Sequence, residues 1–102
     1  MQYKKWDIWN AWVKFLDTQE IKLRPVIIIG EKEIYTLALQ VTSRDARVLS
    51  DYLIRDWEIA GLEKESIADT ARLLELNDSD FGKQIGHLTD YDILEIQFML
   101  SR

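Results

Sequence analysis

The sequence predicts a mainly β domain of the α+β kind: a small barrel or curled antiparallel sheet with short helical turns, closed by a C-terminal α-helix. Three observations carry this. Val26-Ile27-Ile28-Ile29 is a run of four β-branched residues behind Arg24-Pro25, which resists helix and suits a strand buried on both faces. Other strand-like segments flank it, separated by short polar stretches. The clearest helical pattern comes last, after Thr89.

Each element follows from local pattern. Trp6 to Phe15 is aromatic and β-branched and reads as the first strand. Trp6 and Ile8 share a face, and a shift near Trp9–Asn10 brings Trp9, Ala11, Val13 and Phe15 into step, as a bulge would. Asp17 to Leu23 is a polar loop. Arg24 to Ile29 is the second strand, with Pro25 at its start, where a missing N–H costs little. Gly30 to Glu33 turns the chain into a third strand, Ile34 to Val41, paired with the second as a hairpin. Thr42 to Arg47 is a second loop, and Tyr52 to Ile54 a short strand. Asp56 to Ala60 makes one helical turn that Gly61 stops in a left-handed conformation. Ser66 to Leu76 is a further strand and Asp78 to Phe81 a turn. Thr89 then caps the final helix, with Asp92 as the acid of a capping-box-like start and Ile93, Leu94, Ile96, Phe98, Met99 and Leu100 as a broad apolar stripe.

The chain, 102 residues with 47% hydrophobic and 11% aromatic side chains, is expected to form one domain, 1–102, able to bury a core. It has no cysteine, which excludes disulfides and thiolate metal sites and suits a reducing compartment. Residues 1–6 are polar rather than the apolar core of a signal peptide, and no apolar run approaches the roughly 18 residues of a membrane span. A cytoplasmic protein without a membrane partner is expected. The net charge of −5 opposes a nucleic-acid partner on average. The charge is unevenly spread, however. Residues 1–56 carry nine basic and eight acidic side chains, whereas 57–102 carry four and ten. A locally basic face in the first half stays open.

No P-loop, dinucleotide fingerprint, HExxH or zinc spacing is present. The single histidine, His87, reads as a packing or capping residue. Asp78, Asp80, Asp90 and Asp92 read as solvated surface and helix-start charge. The informative feature is a pair of strand ends. In a hairpin of 24–29 with 34–41, Arg24 and Thr42 lie at one edge of the sheet, with Lys22, Ser43, Arg44 and Arg47 around them. An arginine flanked by cations and hydroxyls is a phosphate site. A solvated rim of charges is the alternative.

The same residues carry a resemblance. Lys5-Trp6-Asp7-Ile8-Trp9, Arg24-Pro25-Val26-Ile27-Ile28-Ile29, Val41-Thr42-Ser43 and Ile85-Gly86-His87-Leu88-Thr89-Asp90 follow one another as similar motifs do in the MazF/PemK toxins, over roughly residues 4–100; Asp56-Trp57 with Ala60-Gly61-Leu62 resembles one branch. The resemblance implies an SH3-like barrel and a homodimer. It implies a toxin of a type II toxin–antitoxin system, neutralised by a cognate antitoxin. The implied activity is a metal-independent, cofactor-free endoribonuclease that cuts single-stranded RNA, including mRNA, through a 2′,3′-cyclic phosphate. Arg24 and Thr42 fall on the family's usual catalytic pair. Asp69 falls near an acidic position that some members use, and Ile67 stands where some have a basic residue. Trp9 or Trp12 would stack bases or fill the core. The segment Asp17–Leu23 has no glycine where members usually carry a Gly-rich loop. Two other readings compete: a non-catalytic SH3-like interaction module, and a CcdB-like toxin directed at a topoisomerase.

Overall fold

A computed structural model describes residues 3–15 and 18–102. Among them six strands form one antiparallel sheet, followed by a helix: β1 (Asp7–Lys14), β2 (Ile21–Glu31), β3 (Thr36–Thr42), β4 (Asp51–Leu53), β5 (Ile67–Leu76), β6 (Phe81–His87) and α1 (Asp90–Leu100). The spatial order is β4-β5-β3-β2-β1-β6. The last strand therefore lies against the first, and β4 and β6 are the two edges. The sheet curls without closing into a barrel.

The β-branched run is, as expected, the centre. Val26, Ile27 and Ile28 are completely buried between β1 and β3. The strand is longer than the sequence suggests. Ile21, Lys22 and Leu23, read as loop, pair with Lys14, Val13 and Trp12 of β1. Their polar neighbours obscure the strand because its outer end has only one sheet neighbour. Asp17 lies outside the described residues. Pro25 is therefore inside β2 rather than at its start, opposite Asn10, but the ladder to β3 begins one residue later, at Val26↔Gln40. Pairing on that side stops where the chain has no N–H to give. Gly30 and Glu31, read as turn, still pair with Leu37 and Thr36, and β3 begins at Thr36 rather than Ile34.

Phe81–His87 is a strand that the sequence pattern missed. Two glycines and Lys83-Gln84 give it no β signal, and tertiary pairing with β1 makes it. The irregularity expected near Trp9–Asn10 exists, between Ile8 and Trp9 and between Trp9 and Ala11, but only in the ladder to β6. The β1–β2 register is continuous. A second irregularity lies in β5. Leu39 faces Leu73 while the next residue, Gln40, faces Asp69, so Thr70, Ala71 and Arg72 bulge out. Arg72 spans the curl: its guanidinium donates to Gln40 Oε1 at 2.6 Å and to the Lys14 carbonyl of β1 at 2.9 Å.

The sheet buries both faces. On one, Val26, Ile28, Ala38, Val13 and Leu76 pack with Tyr3, Trp9 and Phe81. Trp9 meets the rings of Tyr3 and Phe81 edge-on at 4.9 and 6.0 Å, so it fills core as expected. On the other, Ile8, Ile27, Leu39 and Val41 lie under α1 through Ile96 and under the 55–62 turn through Ala60 and Leu62. That turn is as predicted: Gly61 has φ +97°, and N–H groups of Gly61 and Leu62 bond back to Glu58 and Trp57, the paired closure of a helix end. It presses on β6 so tightly that a Cβ on Gly86 would sit 1.9 Å from the Ala60 carbonyl oxygen, and one on Gly61 2.6 Å from that of Ile85.

The helix departs from expectation at its start and along its apolar stripe. Asp92 is not a solvated capping acid. It is completely buried. Its Oδ1 accepts from the Tyr52 hydroxyl at 2.5 Å and the Arg55 N–H at 3.0 Å, and Oδ2 accepts from the Asp56 N–H at 2.9 Å. Thr89 Oγ1, in turn, donates to Asp56 at 2.8 Å and caps no N–H of the helix. One carboxylate thus ties β4, the 55–61 turn and α1 together, and burial beside it raises the Tyr52 hydroxyl pKa. The apolar stripe is split too: Ile96 is buried, whereas Leu94 and Phe98 are exposed.

Candidate active site

Where β2 and β3 run past their last mutual pair, they open a cleft of about 490 Å³. It is lined by Arg24 and Pro25 of β2, Thr42 and Ser43 at the end of β3, Asn10 of β1, Ile85 of β6, and Gly61 to Lys64 with Ser66, which adjoins the Thr42↔Ile67 pair. The hairpin geometry read from the sequence therefore brings Arg24, Thr42 and Ser43 to one cavity. Arg24 is half-buried, and its guanidinium lies 5.5 Å from the Phe15 ring and donates to the Leu23 carbonyl at 3.1 Å. Among the described residues it has no carboxylate partner. An arginine kept unpaired at a cleft wall is a ready anion donor.

The other expected cations are not in this cleft. Lys22 pairs with Glu20 at 3.4 Å and lies 5.4 Å from the Phe15 ring. Arg44 makes a forked pair with Asp51, 2.6 and 3.2 Å, and Arg47 gives its backbone N–H to the same carboxylate at 2.9 Å. Asp69 lies beside that group, opposite Asp51 in the β4–β5 ladder, and accepts from the Ala71 N–H at 3.1 Å. Ile67 is completely buried under the sheet. Trp12 is half exposed on the far side, where it lines a smaller cavity with Leu74 and Leu76. His87 holds Asp7 across the β1–β6 edge, Nδ1 to Oδ1 2.7 Å. What sequence reasoning missed is the rest of the lining. Glu63, Lys64 and Ser66 line the cleft because the Gly61 turn is folded back against β6, a contact with no local signal.

The Arg44–Asp51 pair has a measurable consequence. The guanidinium fork and the Arg47 N–H hold the Asp51 carboxyl down to about 2. A carboxylate whose folded value lies below its ordinary one near 3.9 stabilises fully above that value and loses the contribution as pH falls toward the folded value. The full shift corresponds to roughly 2 kcal/mol. The difference in urea midpoint between the native chain and Asp51→Asn is therefore expected to close as pH drops from about 4 to about 2. A difference that stays constant across that window would show that the pair adds nothing.

The chain is thus a curled open sheet with a terminal helix and an arginine–threonine cleft between two strand ends. Residues 4–102 match the family described as PemK-like, MazF-like toxin of type II toxin–antitoxin system. The chain belongs to that family. Its shape is similar to that of the Mycobacterium tuberculosis toxin MazF-mt6, at a TM-score of 0.75, 17% identity, and coverage of 93% of this chain and 92% of that one. It is also similar to an endoribonuclease from a mycobacterial species in complex with its cognate antitoxin, at 0.74 and 12%, covering 95% and 89%. MazF from Deinococcus radiodurans matches at 0.67 and 15%, covering 93% and 88%. None of the curated proteins matches the chain. No helix among the described residues is long and apolar enough to cross a membrane.

Proposed function

We propose that the chain is a ribonuclease toxin that cuts single-stranded RNA in this cleft without a metal. The observation that carries the reading is Arg24, without a carboxylate partner among the described residues, sharing one cavity with Thr42 and Ser43. A 2′-oxygen attacks the neighbouring phosphorus, the bond to the 5′-oxygen breaks, and a 2′,3′-cyclic phosphate and a 5′-hydroxyl remain. Negative charge grows on the phosphoryl oxygens, and a guanidinium already in place stabilises it without reorganising. Thr42 and Ser43 donate to the same oxygens or orient the nucleophile. The Arg44–Arg47 loop lies outside the cavity, so its cations act on phosphates up- or downstream of the cut, with Arg44 spending most of its charge on Asp51. Asp69, on the same side, is proposed only as a neighbour of that loop.

Family membership supports the reading, as does the similarity to mycobacterial endoribonucleases, one of them bound to its cognate antitoxin. A cognate antitoxin, a homodimeric state and action in the cytoplasm complete it. Pure protein incubated with long mixed-sequence RNA in EDTA is expected to yield fragments with cyclic-phosphate and 5′-hydroxyl ends. Intact RNA under all conditions would leave the interaction module or the topoisomerase-directed toxin, and a monomeric mass by light scattering would remove the dimer.

A further inference from the structure

We propose that Glu63 is the proton acceptor for the attacking 2′-hydroxyl, with Lys64 beside it holding the phosphate. The proposal rests on the ribonuclease reading above. Attack by a 2′-hydroxyl needs a group that can take its proton. Of the cleft's lining side chains, Arg24 and Lys64 have donors and no acceptor, and Asn10, Thr42, Ser43 and Ser66 are neutral amide or hydroxyl groups. Among the described residues Glu63 is the one carboxylate in that lining. Asp69 and His87, the bases that the sequence would nominate first, lie outside it and are engaged with the Ala71 N–H and with Asp7.

The backbone fixes where Glu63 stands. On one side, Leu62 is buried and its N–H closes the turn on the Trp57 carbonyl. On the other, Ser66 Oγ donates to the Lys64 carbonyl at 2.8 Å, and the Ser66 carbonyl accepts from Ile54 at 3.0 Å. Glu63 and Lys64 are thus exposed side chains on a pinned rim, in the same cavity lining as Arg24 and Thr42. Neither has an ion-pair partner among the described residues. In the step, the 2′-oxygen's proton passes to the Glu63 carboxylate and its electron pair forms the new bond to phosphorus. The bond from phosphorus to the 5′-oxygen breaks, and that oxygen takes a proton from water at the open mouth of the cleft. Glu63 returns its proton to water. No water is consumed overall, so the reaction is an intramolecular transfer.

The sign of the effect separates this role from simple electrostatics. Removing a negative charge near a phosphate strengthens RNA binding, so a merely repulsive Glu63 makes Glu63→Gln bind tighter and cut at least as fast. A base makes it cut about 100-fold slower or more, with the acidic limb of the pH–rate profile lost. Native protein, Glu63→Gln and Glu65→Gln, an exposed acid outside the cleft lining, are compared on the long mixed-sequence RNA. Slow cutting and a flattened limb for Glu63→Gln alone support the proposal. Native cutting with Glu63→Gln within about threefold of it overturns the proposal and leaves the ribonuclease reading standing. No cutting by native protein removes the reading, and Glu63's role goes with it.

Discussion

Alanine in place of Arg24 is expected to slow RNA cleavage about 100- to 1,000-fold while barely moving the melting temperature. The size comes from the loss of one preorganised charge donor at a developing oxyanion. The selectivity comes from the structure: among the described residues Arg24 has no carboxylate partner to orphan, and it donates to the carbonyl of its own neighbour, Leu23. Arg24→Lys keeps the charge but not the planar fork, so it should recover only part of the rate. Rates on the mixed-sequence RNA and thermal melts of the same preparations decide the matter. Undiminished cleavage by Arg24→Ala would take the chemistry away from this cleft, and a large fall in melting temperature would make Arg24 a structural residue.

The second large effect lies in stability. Asp92→Ala removes one carboxylate and leaves the Arg55 and Asp56 N–H groups and the Tyr52 hydroxyl without acceptors in a buried place. Each orphaned donor costs about 1–3 kcal/mol, so a loss of about 3–5 kcal/mol is expected. That is a large part of the 5–15 kcal/mol that holds a typical domain, and for a chain of this size it lowers the melting temperature by on the order of 20 °C. Asp92→Asn keeps one acceptor oxygen and sets an amide N–H against a backbone N–H, so an intermediate loss is expected. Circular dichroism melts give the answer, and a change of only a few degrees for alanine would mean that water replaces the carboxylate. Since this group anchors the turn whose continuation lines the cleft, activity at moderate temperature should fall with it.

How far the sequence carried can be judged residue by residue. The central strand, its hairpin to β3 and the meeting of Arg24 with Thr42 were legible because a two-strand register is a local matter. The Gly61 stop was legible for the same reason: a left-handed glycine closes the turn that contains it. Asp92 was misread because a capping box and a buried anchor have the same local pattern, and only the fold decides which donors come near. The same holds for Arg44. Its forked pair with Asp51 forms because β4 returns the chain after a short loop, and the sequence showed only another cation near the cleft. The β6 strand and the Glu63–Lys64 wall depend on contacts between distant segments. Gly82 and Gly86 weaken any strand signal, and Gly86 is required because it lets the Ala60 carbonyl approach.

The strand order has a consequence for the order of events in the cell. Since β6 pairs with the free side of β1, and its Ile85 lines the same cleft as Arg24, the cleft has no complete form until β6 has joined the sheet. Arg24, Thr42 and Glu63 all leave the ribosome before the strand that brings their walls together. A chain that has not yet added β6 therefore holds these residues without the finished cleft.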